Sequence, residues 1–153
     1  MSLLSLDTAL FRWINHTLAS PSIDALARGL TWAGEYAWLF AFLTPFVWMK
    51  TRGPWRLFWA LLLPVVLISD ALPNLLKVWF ERPRPFMALT DTRLVMPVAV
   101  LSDFGFPSGH ATNSMAVAAL LALTAGRLMG AVAVAAAVLV CLSRVYIGVH
   151  YPL

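Results

Sequence analysis

Charge is what this 153-residue chain lacks most. Seven Asp and Glu and eleven Lys and Arg make up 12% of the residues, about half the share of an ordinary soluble domain. With 61% of residues hydrophobic, a globule of this size has too little charge to solvate its surface. Separate water-soluble domains are thereby excluded, and the bilayer is the expected solvent. Cysteine is nearly missing as well. Cys141 cannot form an internal disulfide, and its apolar setting from Val138 to Leu142 marks a packing residue rather than a redox centre. No Lys or Arg precedes the first apolar stretch, Met1 to Leu6, and no small-residue cleavage site follows a hydrophobic core. The expectation is insertion by internal spans rather than by a removed signal peptide. Internal repeats, low-complexity tracts and soluble linkers are absent too. The formal charge of +4 lies at the ends of apolar runs, not in one solvated patch, which argues against a nucleic-acid partner.

What is present is apolar sequence in lengths that suit a membrane. A spanning helix needs about 20 apolar residues, so the chain has room for four or five spans and short connections. Leu3, Leu6, Leu10, Phe11, Trp13, Ile14 and Leu18 recur at helical spacing, while Asp7, Arg12, Asn15 and His16 interrupt any spanning run. This pattern predicts an amphipathic helix at the interface, with His16 as one of its polar residues. Ser20 to Ser22 break it, and a short amphipathic stretch, Ile23 to Gly29, follows. The first span is expected over Leu30 to Met49, with Glu35 as its only charge, ended by Lys50-Thr51-Arg52-Gly53-Pro54. A second, Trp55 to about Trp79, contains Pro64, Asp70, Pro73 and Asn74. It is expected to be kinked, with its polar groups facing other helices. Residues 85 to 109 are too broken by Pro85, Pro97 and Pro107 to span and form a long loop, in which Leu94 to Leu101 dips into the interface. Two more spans, Ala111 to Ala125 and Ala131 to about Ile147, are joined by Gly126 to Gly130. Their Ala-rich faces permit close packing. The Trp residues near span ends, Trp32, Trp48, Trp55 and Trp79, read as interfacial anchors. The fold class is therefore all-α: a multi-pass transmembrane bundle with an N-terminal interfacial helix, treated as one membrane-embedded domain over residues 1 to 153.

Alternation of spans places Lys50 to Arg56 and Arg127 on one side, and the loop from Lys77 to His110 with Arg144 to Leu153 on the other. Three polar clusters meet on that second side: Lys77 to Pro85, Pro107-Ser108-Gly109-His110, and Ser143-Arg144 with His150. A doubly charged phosphoryl group needs fixed cations; Arg supplies bidentate forks and Lys a point charge. Ser108 stands where a helix entering Ala111 wants its N-cap, which points the backbone N–H groups near Gly109 and His110 at an anion. Gly109 removes side-chain bulk where an oxygen must approach. Two histidines supply the rest, one as nucleophile and one as proton donor to the leaving group. No ligand cluster suggests a metal, and the nearby cations would repel one. On one continuous helix Arg144 and His150 would stand about 120° apart. They converge only if the helix breaks, and Gly148 is the expected place, with Pro152 suited to open a following helix.

The spacing Lys-x6-Arg-Pro, then Pro-Ser-Gly-His, then Ser-Arg-x5-His resembles the signature of the type-2 phosphatidic acid phosphatase superfamily, over residues 77 to 150. The resemblance implies that His150 is the nucleophile that becomes a phosphohistidine and His110 the general acid. Lys77, Arg84, Ser108, Gly109 and Arg144 would then cradle the phosphoryl oxygens. It also implies metal-independent chemistry without a cofactor, on a lipid phosphate or pyrophosphate of the phosphatidate, phosphatidylglycerol phosphate or undecaprenyl pyrophosphate class. The site would lie on the periplasmic or extracellular face of a bacterial inner membrane. The family pattern continues with three residues and an Asp that orients the nucleophile, a position that falls just after Leu153. The expectation is that the chain stops short of it and of the family's last helix, which would deprive the imidazole of its orienting partner.

Beside these stand plainer readings. Arg82 is a weaker phosphate candidate than Arg84. Asp70, Asn74 and Lys77 share one helix stripe and are expected to form a structural polar network. Glu35 is expected to make a structural pair, and a dimerisation role for Gly126 and Gly130 is a minor alternative. In function, the alternatives are a lipid phosphotransferase, or a non-catalytic protein that binds anionic lipid or assists transport.

Overall fold

The computed structural model describes residues 2–97 and 104–153, with the side chains of 35–42 outside the description. The readings for Glu35 and for the far end of the Leu94 to Leu101 segment fall outside the described residues. Among those described, the chain is helical, joined by short turns and one long loop.

Helix α1 spans Leu3–Arg12, capped by the Ser2 side chain, which accepts from the Ser5 N–H, and continues as a π-helical turn, Trp13–Thr17. Its outer face exposes Leu3, Leu4, Leu10 and Trp13 while Asp7, Phe11, Ile14 and Asn15 are buried. The amphipathic reading therefore holds, but Asp7 and Asn15 belong to the inner face. Helix α2 is Pro21–Phe42 and α3 Thr44–Lys50. Here the structure corrects the sequence reading: Ile23 to Gly29 is not a separate stretch but the first turns of α2. Pro21 opens that helix, where its missing N–H is no loss. The Leu30 to Met49 span is divided at Leu43, because Pro45 in the first turn of α3 cannot donate back into α2.

Helix α4 is a single element, Pro54–Phe80, with Pro64 and Pro73 inside it. It ends at Glu81, which takes the left-handed conformation at φ 44, and Pro83 follows, unable to resume the helix. A one-turn helix α5, Pro85–Ala88, starts the long loop. Helix α6, Gly109–Thr124, begins on Ser108 as its N-cap, and α7, Arg127–Tyr146, starts four residues earlier than expected because Gly126, at φ 92, makes the whole turn.

Helix α6 packs between α4 and α7, and α2 lies against α7. Gly130 permits the closest of these approaches: a Cβ there would sit 2.4 Å from the Ala122 Cβ. Gly130 thus serves packing within the chain, while Gly126 serves the turn. Helices α4 and α7 are long and apolar enough to cross a membrane by length and composition. One apolar core joins Phe58, Leu62 and Val66 of α4 to Leu120 of α6. A second joins Phe11 and Ile14 of the N-terminal helix to Val145, Tyr146, Ile147 and Val149. That second core lies directly behind the site.

Candidate active site

The ends of α4 and α7 and the start of α6 meet at one pole of the bundle. Beyond Glu81 the chain runs extended through Pro83 and Arg84, and the segment before α6 lies against it. Pro83 and Phe104 form an antiparallel bridge, and the Gly105 N–H donates to the Arg82 carbonyl at 2.7 Å. This approach favours a glycine, since a Cβ on Gly105 would stand 3.1 Å from the Arg84 Cα and press the two segments apart. Helix α7 ends at Tyr146, the chain turns through Gly148 at φ 91, and His150 folds back toward Arg144. The predicted break at Gly148 is thus found, and it is what lets the third cluster act as a unit.

Ser108, Arg144 and His150 line one cavity of about 320 Å³, together with Gly105, Thr112 and Cys141. Arg84 and Arg144 are buried, and Arg84 Nη1 lies 3.3 Å from the Val149 carbonyl and 3.5 Å from His150 Nε2. The other ring nitrogen, Nδ1, is 2.6 Å from the Gly105 carbonyl. A carbonyl only accepts and a guanidinium only donates, so both contacts demand the same tautomer: the proton on Nδ1 and the lone pair on Nε2. Burial pushes the His150 imidazole down to about 3; the Gly105 carbonyl opposes this, and the Arg144 and Arg84 cations reinforce it. The ring is neutral at any physiological pH.

His110 sits in the first turn of α6, its ring against α2: a Cβ on Gly34 would come within 2.9 Å of its Cδ2. Arg144, Arg84 and Lys77 all act on it electrostatically. At Gly109 a Cβ would meet nothing within 4 Å, so that backbone stands open. Lys77 is the outlying member. It is half-buried, and its Nζ donates to Asn74 Oδ1 at 3.1 Å rather than to a group of the cavity. Asn74, Asp70, Asn113 and Ser69 continue the expected polar network, with Ser69 Oγ 2.6 Å from Asn113 Oδ1.

One sequence reading is sharpened and another changes. Arg82, the weaker phosphate candidate, pairs with buried Asp7 and stacks over the Tyr151 ring at 3.8 Å. The nucleophile candidate does not lack an orienting partner, because the Gly105 carbonyl occupies its Nδ1 side. Sequence reasoning missed Gly105 and Gly34. Gly105 had a signal, a glycine two residues before Pro107; nothing marked Gly34, because its role depends on a neighbour in another helix.

Arg144, His150 and the N-capped start of α6 thus share one cavity in an apolar helical protein, with Arg84 against the His150 ring. Residues 53–153 match the family model described as the PAP2 superfamily, and the chain belongs to that superfamily. It is 29% identical over 150 residues to the undecaprenyl-diphosphatase of Sulfolobus acidocaldarius, covering 98% of this chain and 70% of the relative. The crystal structure of Aquifex aeolicus LpxE superposes with a TM-score of 0.79 at 28% identity, over 96% of this chain and 84% of that one. The first transmembrane PAP2-type phosphatidylglycerolphosphate phosphatase from Bacillus subtilis gives 0.73 at 28%, over 98% and 75%. The chain's relatives thus include phosphatases named for lipid phosphates and diphosphates, one of them described as transmembrane.

Proposed function

We propose that this protein hydrolyses a membrane lipid phosphate or pyrophosphate through a phosphohistidine on His150. The carrying observation is the tautomer of His150 set by the Gly105 carbonyl, which leaves the Nε2 lone pair facing the Arg84 guanidinium, a donor that a phosphoryl oxygen would take over, in the cavity it shares with Arg144 and Ser108. Nε2 attacks phosphorus and the bond from phosphorus to the leaving oxygen breaks, while His110 donates a proton to that oxygen. Water then attacks the phosphohistidine and gives its proton to His110, releasing inorganic phosphate and restoring both rings. Arg84 and Arg144 hold the equatorial oxygens, with the Ser108 hydroxyl, the open Gly109 backbone and the α6 N-terminus behind them. Lys77 adds long-range charge. The chemistry needs no metal.

The lipid tail stays in the bilayer while the head enters the pole where the three clusters meet. In this reading α2, α4, α6 and α7 cross a bacterial inner membrane as a multi-pass bundle, α1 lies at the interface, and the site opens to the periplasmic or extracellular face. The names of the relatives make phosphatidylglycerol phosphate and undecaprenyl pyrophosphate the first substrates to try.

The test is a phosphate-release panel over these lipids, with and without chelator, on wild type and His150→Ala. The expected result is chelator-insensitive release that His150→Ala abolishes without loss of helicity, and an acid-labile label on His150 after quenching. Retained turnover in His150→Ala would sink the nucleophile assignment, and label passing to a second lipid instead of water would make the protein a phosphotransferase.

A further inference from the structure

The N-terminal helix reaches the site through a polar cluster that the phosphate chemistry does not use. Asn15 is fully buried in the π-helical turn. Its Nδ2 donates to the Arg93 carbonyl at 2.9 Å and the Tyr146 carbonyl at 2.8 Å, and its Oδ1 accepts from the Arg93 N–H at 2.9 Å. The Arg93 side chain returns to the Asn15 carbonyl at 3.2 Å through Nε. Its Nη1 contacts both oxygens of Asp24, at 3.0 and 3.1 Å. Tyr146 closes the ring by donating its hydroxyl to Asp24 Oδ1, and its own ring lies under the Arg93 guanidinium at 5.0 Å.

The cluster reaches both the turn that carries His150 and the chain beside Arg84. Tyr146 is the last residue of α7, and the Val95 N–H reaches the Ile147 carbonyl at 3.5 Å. Thr92 Oγ1 donates to the carbonyl of Pro85, next to Arg84. Gly148 is seated in the same place: a Cβ on it would stand 2.7 Å from the Arg93 carbonyl and 3.4 Å from Asn15 Nδ2. The left-handed turn that brings Arg144 and His150 together is thus moulded against Asn15 and Arg93. Asn15 and Asp24 lie outside the residues that match the family model.

We propose that Asn15, Arg93 and Asp24 are positioning residues, a clamp that sets the Arg144–His150 turn so that Nε2 faces the phosphorus. The N-terminal helix is then a support of the catalytic turn as well as an interfacial element. The inference rests on the phosphatase reading for its kinetic consequence, though not for its geometry. A control is built into the fold: Arg12 and Asp91 join the same helix to the same loop by an exposed pair at 2.9 Å that does not touch the turn.

The test compares Asn15→Leu, Asp24→Asn and Arg12→Ala in the full chain. The first readout is the single-turnover rate at saturating enzyme, which an unfolded fraction leaves unchanged and a misaligned His150 lowers in every molecule. Because about 1 Å of misplacement is worth about 100-fold, Asn15→Leu is expected to lower this rate about 30-fold or more with KM within about threefold. Asp24→Asn, which keeps shape and fold, is expected to lower it about fivefold, and Arg12→Ala less than twofold. Wild-type rates in both clamp variants, with His150→Ala dead, would overturn the clamp and leave the phosphatase reading standing. The second readout needs no turnover: the downfield proton of the His150 Nδ1–H bond to Gly105, expected to shift or broaden in Asn15→Leu and Asp24→Asn but not in Arg12→Ala. If that proton is unchanged in both clamp variants, the clamp is wrong whatever the protein hydrolyses; if wild type releases no phosphate while the proton shifts, the phosphatase reading alone fails.

Discussion

The two cores of the bundle are built on different principles. Between α4 and α6, the side chains of Phe58, Leu62, Val66 and Leu120 pack by apolar contact, and the Ser69–Asn113 hydrogen bond joins the same two helices further along. Behind the site, Phe11, Ile14, Val145 and Ile147 are interleaved with Asn15, Asp24, Arg93 and the Tyr146 hydroxyl. Dispersion and burial are non-directional, so the first core fixes which helices are neighbours and tolerates small shifts. Hydrogen bonds to backbone carbonyls are directional and costly to leave unmade, so the second core fixes where one turn stands. Catalytic geometry needs the second kind.

Removing a cation from the site breaks this contrast most sharply. Arg84→Ala is expected to lower phosphate release at least about 100-fold with helicity intact, while Arg127→Ala, exposed at the opposite pole, changes it less than twofold. A loss under about threefold would remove Arg84 from the phosphate site. Next comes Gly148→Ala, where a side chain must take φ 91 and push on the Arg93 carbonyl; release per folded molecule should fall about 30-fold. Gly34→Ala, whose Cβ would press on His110, should lower kcat about tenfold, and Gly29→Ala, with open space around it, should be neutral or stabilise α2 by up to about 1 kcal/mol. Equal effects would show that Gly34 serves the helix rather than His110. In the apolar core, Leu62→Ala should reduce resistance to unfolding by about 2 kcal/mol and leave turnover per folded molecule within twofold.

The smallest effect is a signal that stays still. His150, held near 3 by burial, should keep the ring signals of a neutral imidazole from about pH 7.5 to about 5. A ring whose folded value lies below the ordinary 6.5 takes its proton first in the unfolded chain. Its contribution to stability is therefore present above 6.5 and is lost as the pH falls from there toward 3. A protonation midpoint near 6.5 would mean that water reaches the ring.

Much of the site was legible because its residues carry local signals. Ser108 sits at a helix start with Gly109 and His110 behind it, and the break between Arg144 and His150 follows from the helical repeat and one glycine. The helix limits were less legible: Pro45 divides the first span, and Pro21 opens it early, where composition alone showed one apolar run. Asp7 and Asn15 looked like interruptions of an amphipathic face. They are buried because their partners, Arg82 and Arg93, arrive from residues 75 and 78 positions away, a separation no periodicity reports.

By itself the sequence determined that the chain is apolar and helical, that five of its eleven cations, Lys77, Arg82, Arg84, Arg93 and Arg144, fall in segments on one side, and that three polar clusters there resemble a known phosphatase signature. These follow from composition and from spacings within single elements. Only the tertiary structure decided that the Gly105 carbonyl sets the tautomer of His150, that Gly34 makes room for His110, and that Asn15 and Arg93 seat the Gly148 turn. Each of these is a close approach between segments distant in the chain, and such approaches exist only once the helices have packed.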